Sequence, residues 1–394
     1  MAMNLPKAVD SLHRKHGDPR FHIDWVLVAS AIAVAVFGLV NIYAARRQWL
    51  MDKNLSEFTY VKRQLIALGI GVVGAAVVAV VDYRKWREYA LLLFVGTTGL
   101  LALVPVFGKE VGGARAWFEF GALQLQPSEF AKVTMVLAVA AYASLGRGTL
   151  HQRELIFAML IAAVPSALIL LQPDLGTAMV FGAMIMAILL IAGARMRHIA
   201  VVTVLGIIAV VAILGTNQLK DYQINRLTAF ANPSTDLTAA TADTPAERNL
   251  LAVQNNLKQS QTAISVGGLH GKGFTNGTQT NGKFVPEQHT DFIFSAVGEQ
   301  FGFVGSAALL ALYGLISFRI WRTAQLSRDL FGALVCVGVL AWMVFQVFEN
   351  IGMAMGIMPV TGIPLPLMSY GGSATMAFCG ALGLVCNVHM RQYT

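Results

Sequence analysis

The sequence predicts an all-α polytopic membrane protein of about ten transmembrane helices, with one long extracytoplasmic loop between helices 7 and 8. Three observations predict it. Of 394 residues, 56% are hydrophobic and only 13% charged, with a mean hydropathy of +0.61, against about 25% charged in ordinary soluble domains. Apolar windows close to the 20 or so residues needed to cross a bilayer recur along the chain. Lysine and arginine gather at the ends of those windows.

The first window, 25–45, follows a polar stretch and is expected to act as the insertion signal, leaving residues 1–24 as a cytoplasmic tail. The second and third lie at 64–81 and 89–107, and Gly69, Gly71 and Gly74 in the second suit close helix packing in lipid. Windows at 128–145, 155–172, 175–193 and 198–215 bring the count to seven. A hydrophilic stretch at 216–290 then interrupts, and windows at 292–318, 330–350 and 371–388 complete the ten. The whole chain, 1–394, reads as one transmembrane domain surrounded by membrane lipids.

Charge at the window ends sets the orientation. Arg84, Lys85 and Arg87, Arg147 and Arg153, Arg195 and Arg197, and Arg319, Arg322 and Arg328 fall on one side if the ten spans alternate. That side is expected to be cytoplasmic. Arg46, Arg47, Lys62 and Arg63 around the first outer loop count against the rule. The net charge of +8 is therefore mostly topology, and no basic run with interleaved aromatics points to nucleic acid. Cys336, Cys379 and Cys386 lie in spans without metal-like spacing and read as small packing residues.

Within the long loop, residues 232–245 are rich in Ser, Thr, Ala and Pro and read as irregular. Residues 246–266 place Leu250, Leu251, Leu257 and Ile264 where they can share a helix face. This helix either lies on the membrane surface or packs on the bundle. The following Gly267-Gly268-Leu269-His270-Gly271-Lys272-Gly273 lacks the spacing, the Ser/Thr and the preceding strand of a Walker loop. Tight-turn geometry is favoured over anion binding.

Several charges sit where lipid or packed protein is expected. Glu129 and Lys132, in Gln126-Pro127-Ser128-Glu129-Phe130-Ala131-Lys132, are three apart and share a helix face. They make either a structural ion pair or, with Arg115 of the Gly112-to-Trp117 segment, part of a polar pocket. Asp174 follows Pro173 and is placed to cap helix 6. Glu299 lies about two turns inside helix 8 and needs a partner. The prolines at 359, 364 and 366 exclude a regular helix before Ser369-Tyr370-Gly371-Gly372-Ser373. Irregular backbone at membrane depth must be buried in protein or line a cavity. Asp291, ending Pro286-Glu287-Gln288-His289-Thr290-Asp291, admits two readings: an N-cap for helix 8 or a functional carboxylate at the membrane boundary.

Taken together, Pro286 to Phe294, Gln126-Pro127-Ser128-Glu129 with Lys132, Gln172-Pro173-Asp174-Leu175-Gly176-Thr177 and Ser369 to Ser373 resemble the SEDS family, the shape, elongation, division and sporulation proteins. The resemblance spans nearly the whole chain. Pro359-Val360-Thr361-Gly362-Ile363-Pro364-Leu365-Pro366 is more similar to elongation-type than to division-type members, and the division type stays open as the alternative. Two positions depart from the family pattern, Lys283 before the Pro-Glu pair and Ala374 after Ser373.

The resemblance implies a peptidoglycan glycosyltransferase of the bacterial cytoplasmic membrane that polymerises lipid II on its outer face, partnered by a class B penicillin-binding protein. It implies Asp291 as the catalytic base and Arg115, Lys132, Glu129, Ser369 and Tyr370 as substrate-binding positions. Trp117 matches a family tryptophan. Glycan polymerisation needs a base for the acceptor hydroxyl and cations for the leaving pyrophosphate. Arg115 and Lys132 are expected to supply the cations, with room for a divalent Mg or Mn ion, and Glu129 to hold Lys132. A flippase of lipid-linked precursors is the rival class, and a scaffold that recruits a synthase is a third.

Overall fold

The computed structural model describes residues 22–111, 114–120, 123–146, 150–172, 174–215, 224, 226, 228–230, 244–282, 284 and 287–392. The tail before residue 22, the irregular loop at 232–243, and Gly112, Gly113, Arg147, Pro173, Lys283 and Pro286, all singled out above, lie outside the described residues.

Three helices open the chain, α1 (Trp25–Asp52), α2 (Thr59–Val80) and α3 (Tyr83–Phe107). A small antiparallel meander follows, β1 (Lys109–Val111), β2 (Ala114–Phe120) and β3 (Leu123–Leu125), pairing Lys109 with Trp117 and Phe118 with Leu125. Then come α4 (Pro127–Ala143), α5 (Gln152–Leu171), α6 (Leu175–Ile191) and α7 (Met196–Gly215). The helices α8 (Pro245–Gly267) and α9 (Thr278–Asn281) precede α10 (Ile293–Gln325), α11 (Leu330–Met355) and α12 (Gly372–Met390).

Among the described residues eight helices are long and apolar enough to cross a membrane, and α6 is a shorter apolar helix of 17 residues. Adding α7, with 20 residues, each apolar window of the sequence coincides with one helix. The meander is an addition to the all-helical expectation. Its outer strands have three residues each, too few for an alternating pattern to register.

Position in the bundle follows side-chain character. α2 and α3 expose Val72, Val73, Val77, Leu91 and Leu92, an apolar surface suited to lipid. α4, α11 and α12 are buried along most of their length. α2 packs tightly on α12: a Cβ added at Gly71 would lie 3.0 Å from Cys379, and one at Gly383 would lie 2.6 Å from the Ala75 carbonyl. Gly69 and Gly74, expected to pack likewise, face open space. The buried Gln64 of α2 joins the same seam. Its Nε2 donates to Thr375 Oγ1 (2.8 Å) and the Ser369 carbonyl (3.3 Å), and its Oε1 accepts from Gly371 N–H (3.2 Å).

At the centre, Lys132 Nζ lies 2.7 Å from Glu129 Oε1, and the lysine side chain is fully buried. The ammonium also sits 4.9 Å over the ring of Trp342 on α11, whose Nε1 donates to Gln346 Oε1 at 2.7 Å. The i,i+3 spacing thus delivers a neutral pair that bridges α4 and α11 through a cation–π contact.

The amphipathic segment forms α8, started by a Thr244–Glu247 capping box. Of its two expected placements it takes the one on the bundle. The Ser260 hydroxyl donates to the Ala354 carbonyl (2.7 Å) and meets Ser295 Oγ (2.5 Å), while Gln261 Nε2 donates to the Met355 carbonyl at 3.1 Å.

The glycine-rich turn after α8 enters a break in α10. Gly302 there has φ 65° and ψ −159°, outside the region open to most L-residues. The interrupted ladder is completed by the turn: Lys272 N–H donates to Glu299 O (2.8 Å) and Gly273 N–H to Gln300 O (3.1 Å). Phe303 N–H donates to Gly268 O (2.8 Å) and Val304 N–H to Leu269 O (3.1 Å). The turn is a backbone clasp. The part of α10 beyond the break is about 34 Å long at ~1.5 Å per residue, enough to cross a bilayer unaided.

Glu299 therefore belongs to the layer before the break, and its partners are there. It accepts from Gln279 N–H (2.7 Å), Thr280 N–H (2.8 Å), Thr280 Oγ1 (2.6 Å) and Thr278 Oγ1 (3.3 Å) at the start of α9.

A Cβ at Gly302 would strike Gly271 N and lie 2.6 Å from the Leu269 carbonyl, so Gly302→Ala should cost about 1–3 kcal/mol and lower the thermal-inactivation midpoint in detergent. Gly69→Ala, in open space, should leave that midpoint unchanged. Lys132→Met strands the Glu129 charge and should cost about 3–5 kcal/mol, whereas the double variant Glu129→Gln, Lys132→Met should recover most of the midpoint. A double variant no more stable than the single one would contradict the pairing.

Candidate active site

Asp291 lies in the last turn before α10. The Glu287 carbonyl accepts from the backbone N–H of Thr290 (3.1 Å), Asp291 (3.1 Å) and Phe292 (3.3 Å), closing the turn on itself. Phe292 occupies the N-cap position and no side chain caps the helix. The capping reading of Asp291 therefore fails. Asp174, in contrast, does cap α6, accepting from Thr177 N–H at 2.9 Å.

The Asp291 carboxylate instead faces the irregular segment between α11 and α12. A Cβ added at Gly362 would lie 3.2 Å from Asp291 Oδ2 and 3.3 Å from Arg226 Nη1, so acid and guanidinium both come up against this glycine. Gly362 has φ 77°, and its missing side chain permits the approach. Arg226 Nη1 also donates to the Thr361 carbonyl at 3.1 Å.

Burial pushes the Asp291 carboxyl from its ordinary 3.8 up to about 6; the Arg226 guanidinium opposes this, and the Glu287 and Asp174 carboxylates add to it. The backbone beneath is pinned by Asn350, whose Nδ2 donates to the carbonyls of Asp291 (2.7 Å) and Ile363 (2.8 Å).

Ser369 and Tyr370 come to the same turn in different roles. The Ser369 hydroxyl donates to the Thr290 carbonyl (2.5 Å) and accepts from Leu365 N–H (2.9 Å). It is buried and engaged with backbone, so it fixes the loop. Tyr370 N–H donates to the His289 carbonyl at 2.9 Å, and its half-buried ring stacks on the imidazole. Burial raises the Tyr370 phenol, with Arg63 beside it opposing.

His289 Nε2 lies 3.1 Å from Arg46 Nη2, and burial together with that cation lowers the imidazole to about 3. It is therefore neutral, and Nε2 accepts from the guanidinium.

No hydrogen bond or ion pair joins the remaining expected positions to the carboxylate among the described residues. Lys132 and Glu129 form the sealed pair described above, so the lysine does not present its ammonium to the mouth. Arg115 is exposed on β2 and donates to the Pro105 carbonyl at 3.3 Å. Its neighbour Trp117 is half-buried in the meander. The sheet is tied to the same end of the bundle through Ser373, whose hydroxyl donates to Gln124 O (3.0 Å) and accepts from Gln126 N–H (3.0 Å).

Arg226 was not singled out by sequence reasoning. It lies in the connection between α7 and α8, with no spacing signal tying it to Asp291. As for the divalent ion, no three His, Cys, Asp or Glu gather as a ligand set among the described residues, so the residues present do not form a cage for one.

A family model described as "Cell cycle protein", FtsW/RodA/SpoVE, matches residues 24–394. The chain is similar to stage V sporulation protein E of Bacillus subtilis (strain 168), 35% identical, with 93% of this chain and 96% of the relative covered. It is similar to the peptidoglycan glycosyltransferase MrdB of Escherichia coli (strain K12), 33% identical, with 97% and 98% covered. A chain from a solved structure titled "Structural coordination of polymerization and crosslinking by a peptidoglycan synthase complex" is 32% identical, with 94% of this chain and 99% of that one covered and a TM-score of 0.77. With a family match from residue 24 to the last residue and relatives covered almost end to end, this chain belongs to the FtsW/RodA/SpoVE family, the shape, elongation, division and sporulation proteins.

Proposed function

We propose that this chain is a peptidoglycan glycosyltransferase that polymerises lipid II into glycan strands for cell-wall elongation and cell shape. The observation that carries the reading is the Asp291 carboxylate: unused as a helix cap, half-buried, and held beside Arg226 over Gly362. Asp291 is the general base. Its carboxylate takes the proton from the acceptor GlcNAc 4-hydroxyl as that oxygen attacks the anomeric carbon of the donor MurNAc, with inversion. The bond to the lipid-linked pyrophosphate breaks, and the leaving group departs with the electron pair.

A base with a pKa near 6 suits this task, since it is ionised at neutral pH yet basic enough to accept a proton in the transition state. Arg226 stabilises charge developing on the pyrophosphate, and exposed Arg115 extends that field from the meander. Lys132 and Glu129 keep α4 and α11 in register around the site. The site end of the bundle faces the extracytoplasmic side of the bacterial cytoplasmic membrane, and the partner is a class B penicillin-binding protein that crosslinks the strands. Likeness to a chain of a synthase complex that coordinates polymerization and crosslinking supports that partnership.

Asp291→Asn should lower polymerisation of purified lipid II by about 10²–10⁴-fold with an unchanged thermal-inactivation midpoint. Wild-type glycan output from this variant would sink the base assignment. The wild-type rate should climb as pH rises through about 6, because the active form is the deprotonated one. In Arg226→Gln that limb should move to higher pH, since the guanidinium holds the carboxyl down, and the rate should fall by roughly 10-fold or more. Lipid scrambling in liposomes that persists in Asp291→Asn, without polymerisation by wild type, would favour a flippase.

A further inference from the structure

The outer arginines that break the topology rule gather in one place. Arg46 stacks its guanidinium 4.8 Å from the centroid of Trp49 and 4.9 Å from that of Tyr60. Tyr60 meets Tyr370 edge-on at 5.0 Å and His289 at 5.1 Å. Arg63 sits beside the Tyr370 hydroxyl, which also feels the field of Arg46, and Lys53 Nζ lies 4.2 Å over Trp49.

The charge of this group is not neutralised. Arg47 next door is paired with Glu57 at 3.1 Å. Arg46, Lys53 and Arg63 have no carboxylate within ion-pair distance among the described residues. Glu287 lies 3.9 Å from His289 Nδ1 but is largely exposed. His289, being neutral, orients Arg46 without cancelling its charge. The Arg46 Nε is buried and has no acceptor among the described residues.

The cluster is also distinct from the Arg226 side. His289 and Asp291 are two residues apart in one tight turn. Asp291 looks toward Gly362 and Arg226, while His289 looks toward Tyr60 and Arg46.

We propose that Arg46 and Arg63, arrayed on Tyr60 and Tyr370 beside His289, form a phosphate-binding subsite on the flank of Asp291 opposite Arg226. Arg46 on the Tyr60 face and Arg63 at the Tyr370 hydroxyl present two forks of donors to phosphate oxygens. The proposal rests on the glycosyltransferase reading, in which a donor and an acceptor each bring a lipid-linked diphosphate to one base. Arg226 serves one diphosphate and the Arg46–Arg63 face the other. A bilayer phospholipid headgroup offers the same phosphate chemistry.

The test uses the full-length protein in nanodiscs, with bound lipid counted by native mass spectrometry. One arm titrates undecaprenyl diphosphate in phosphatidylcholine discs, and the other varies phosphatidylglycerol without the polyprenyl lipid. Arg63→Gln, at an exposed position, and Arg46→Gln, Arg63→Gln should each raise the dissociation constant by about tenfold or more, while Arg63→Lys should lose less. A fall in the polyprenyl arm assigns the subsite to substrate; a fall confined to the phosphatidylglycerol arm keeps the phosphate site and assigns it to the bilayer. Unchanged binding in both arms, for monodisperse variants, overturns the proposal. Failure of wild type to polymerise lipid II is a separate readout, which removes the enzymatic reading and leaves the binding comparison standing.

Discussion

The site depends on satisfying irregular backbone where water is scarce. The stretch from Met358 to Gly371 forms no helix, and each of its polar groups left bare in a low-dielectric interior would cost several kcal/mol. Side chains from three helices, and one from the stretch itself, meet the demand. Asn350 takes the Ile363 carbonyl, Tyr313 the Pro366 carbonyl at 2.6 Å, and Gln64 the Ser369 carbonyl, while Ser369 ties the loop to the Asp291 turn. Because Asn350 holds Asp291 and Ile363 with one amide group, the carboxylate and the glycine it faces are positioned by the same residue.

A second backbone exchange fixes the turn from the other side. α10 is a helix long enough to span, with a short start before its break, joined to the α8–α9 layer by hydrogen bonds that a straight helix would have made internally. Glu299 adds an anionic anchor for the start of α9. The Asp291 turn thus sits between two rigid bodies, the loop above α11 and the clasped start of α10. Preorganisation of this kind places a base without reorganisation during the reaction.

The fold was largely legible because bilayer thickness imposes a length that composition reveals. All ten apolar windows became helices, and the Glu129–Lys132 spacing became a contact. Burial was less legible: a spacing of three says that two charges meet, but not that Trp342 will cover them and keep Lys132 from the mouth. Asp291 was ambiguous since an acid before an apolar run looks the same as cap or base, and only the backbone geometry around Phe292 separates them. Arg226 was invisible because its partners lie some 65 and 135 residues away. The exceptional outer arginines were visible as exceptions, but their convergence on Tyr60 and Tyr370 needed three dimensions.

Gln64 has a consequence in time. Its partners Ser369, Gly371 and Thr375 follow it by about 305 to 311 residues. At roughly 5–20 residues per second of synthesis, α2 waits on the order of 15–60 s in the membrane with a polar amide and no native acceptor. The nascent chain must shelter that group with water, lipid headgroups or a helper until α12 arrives. The late-made α12 therefore closes a part of the bundle made about 300 residues earlier, and a chain truncated before α12 would leave the α2 amide without these partners.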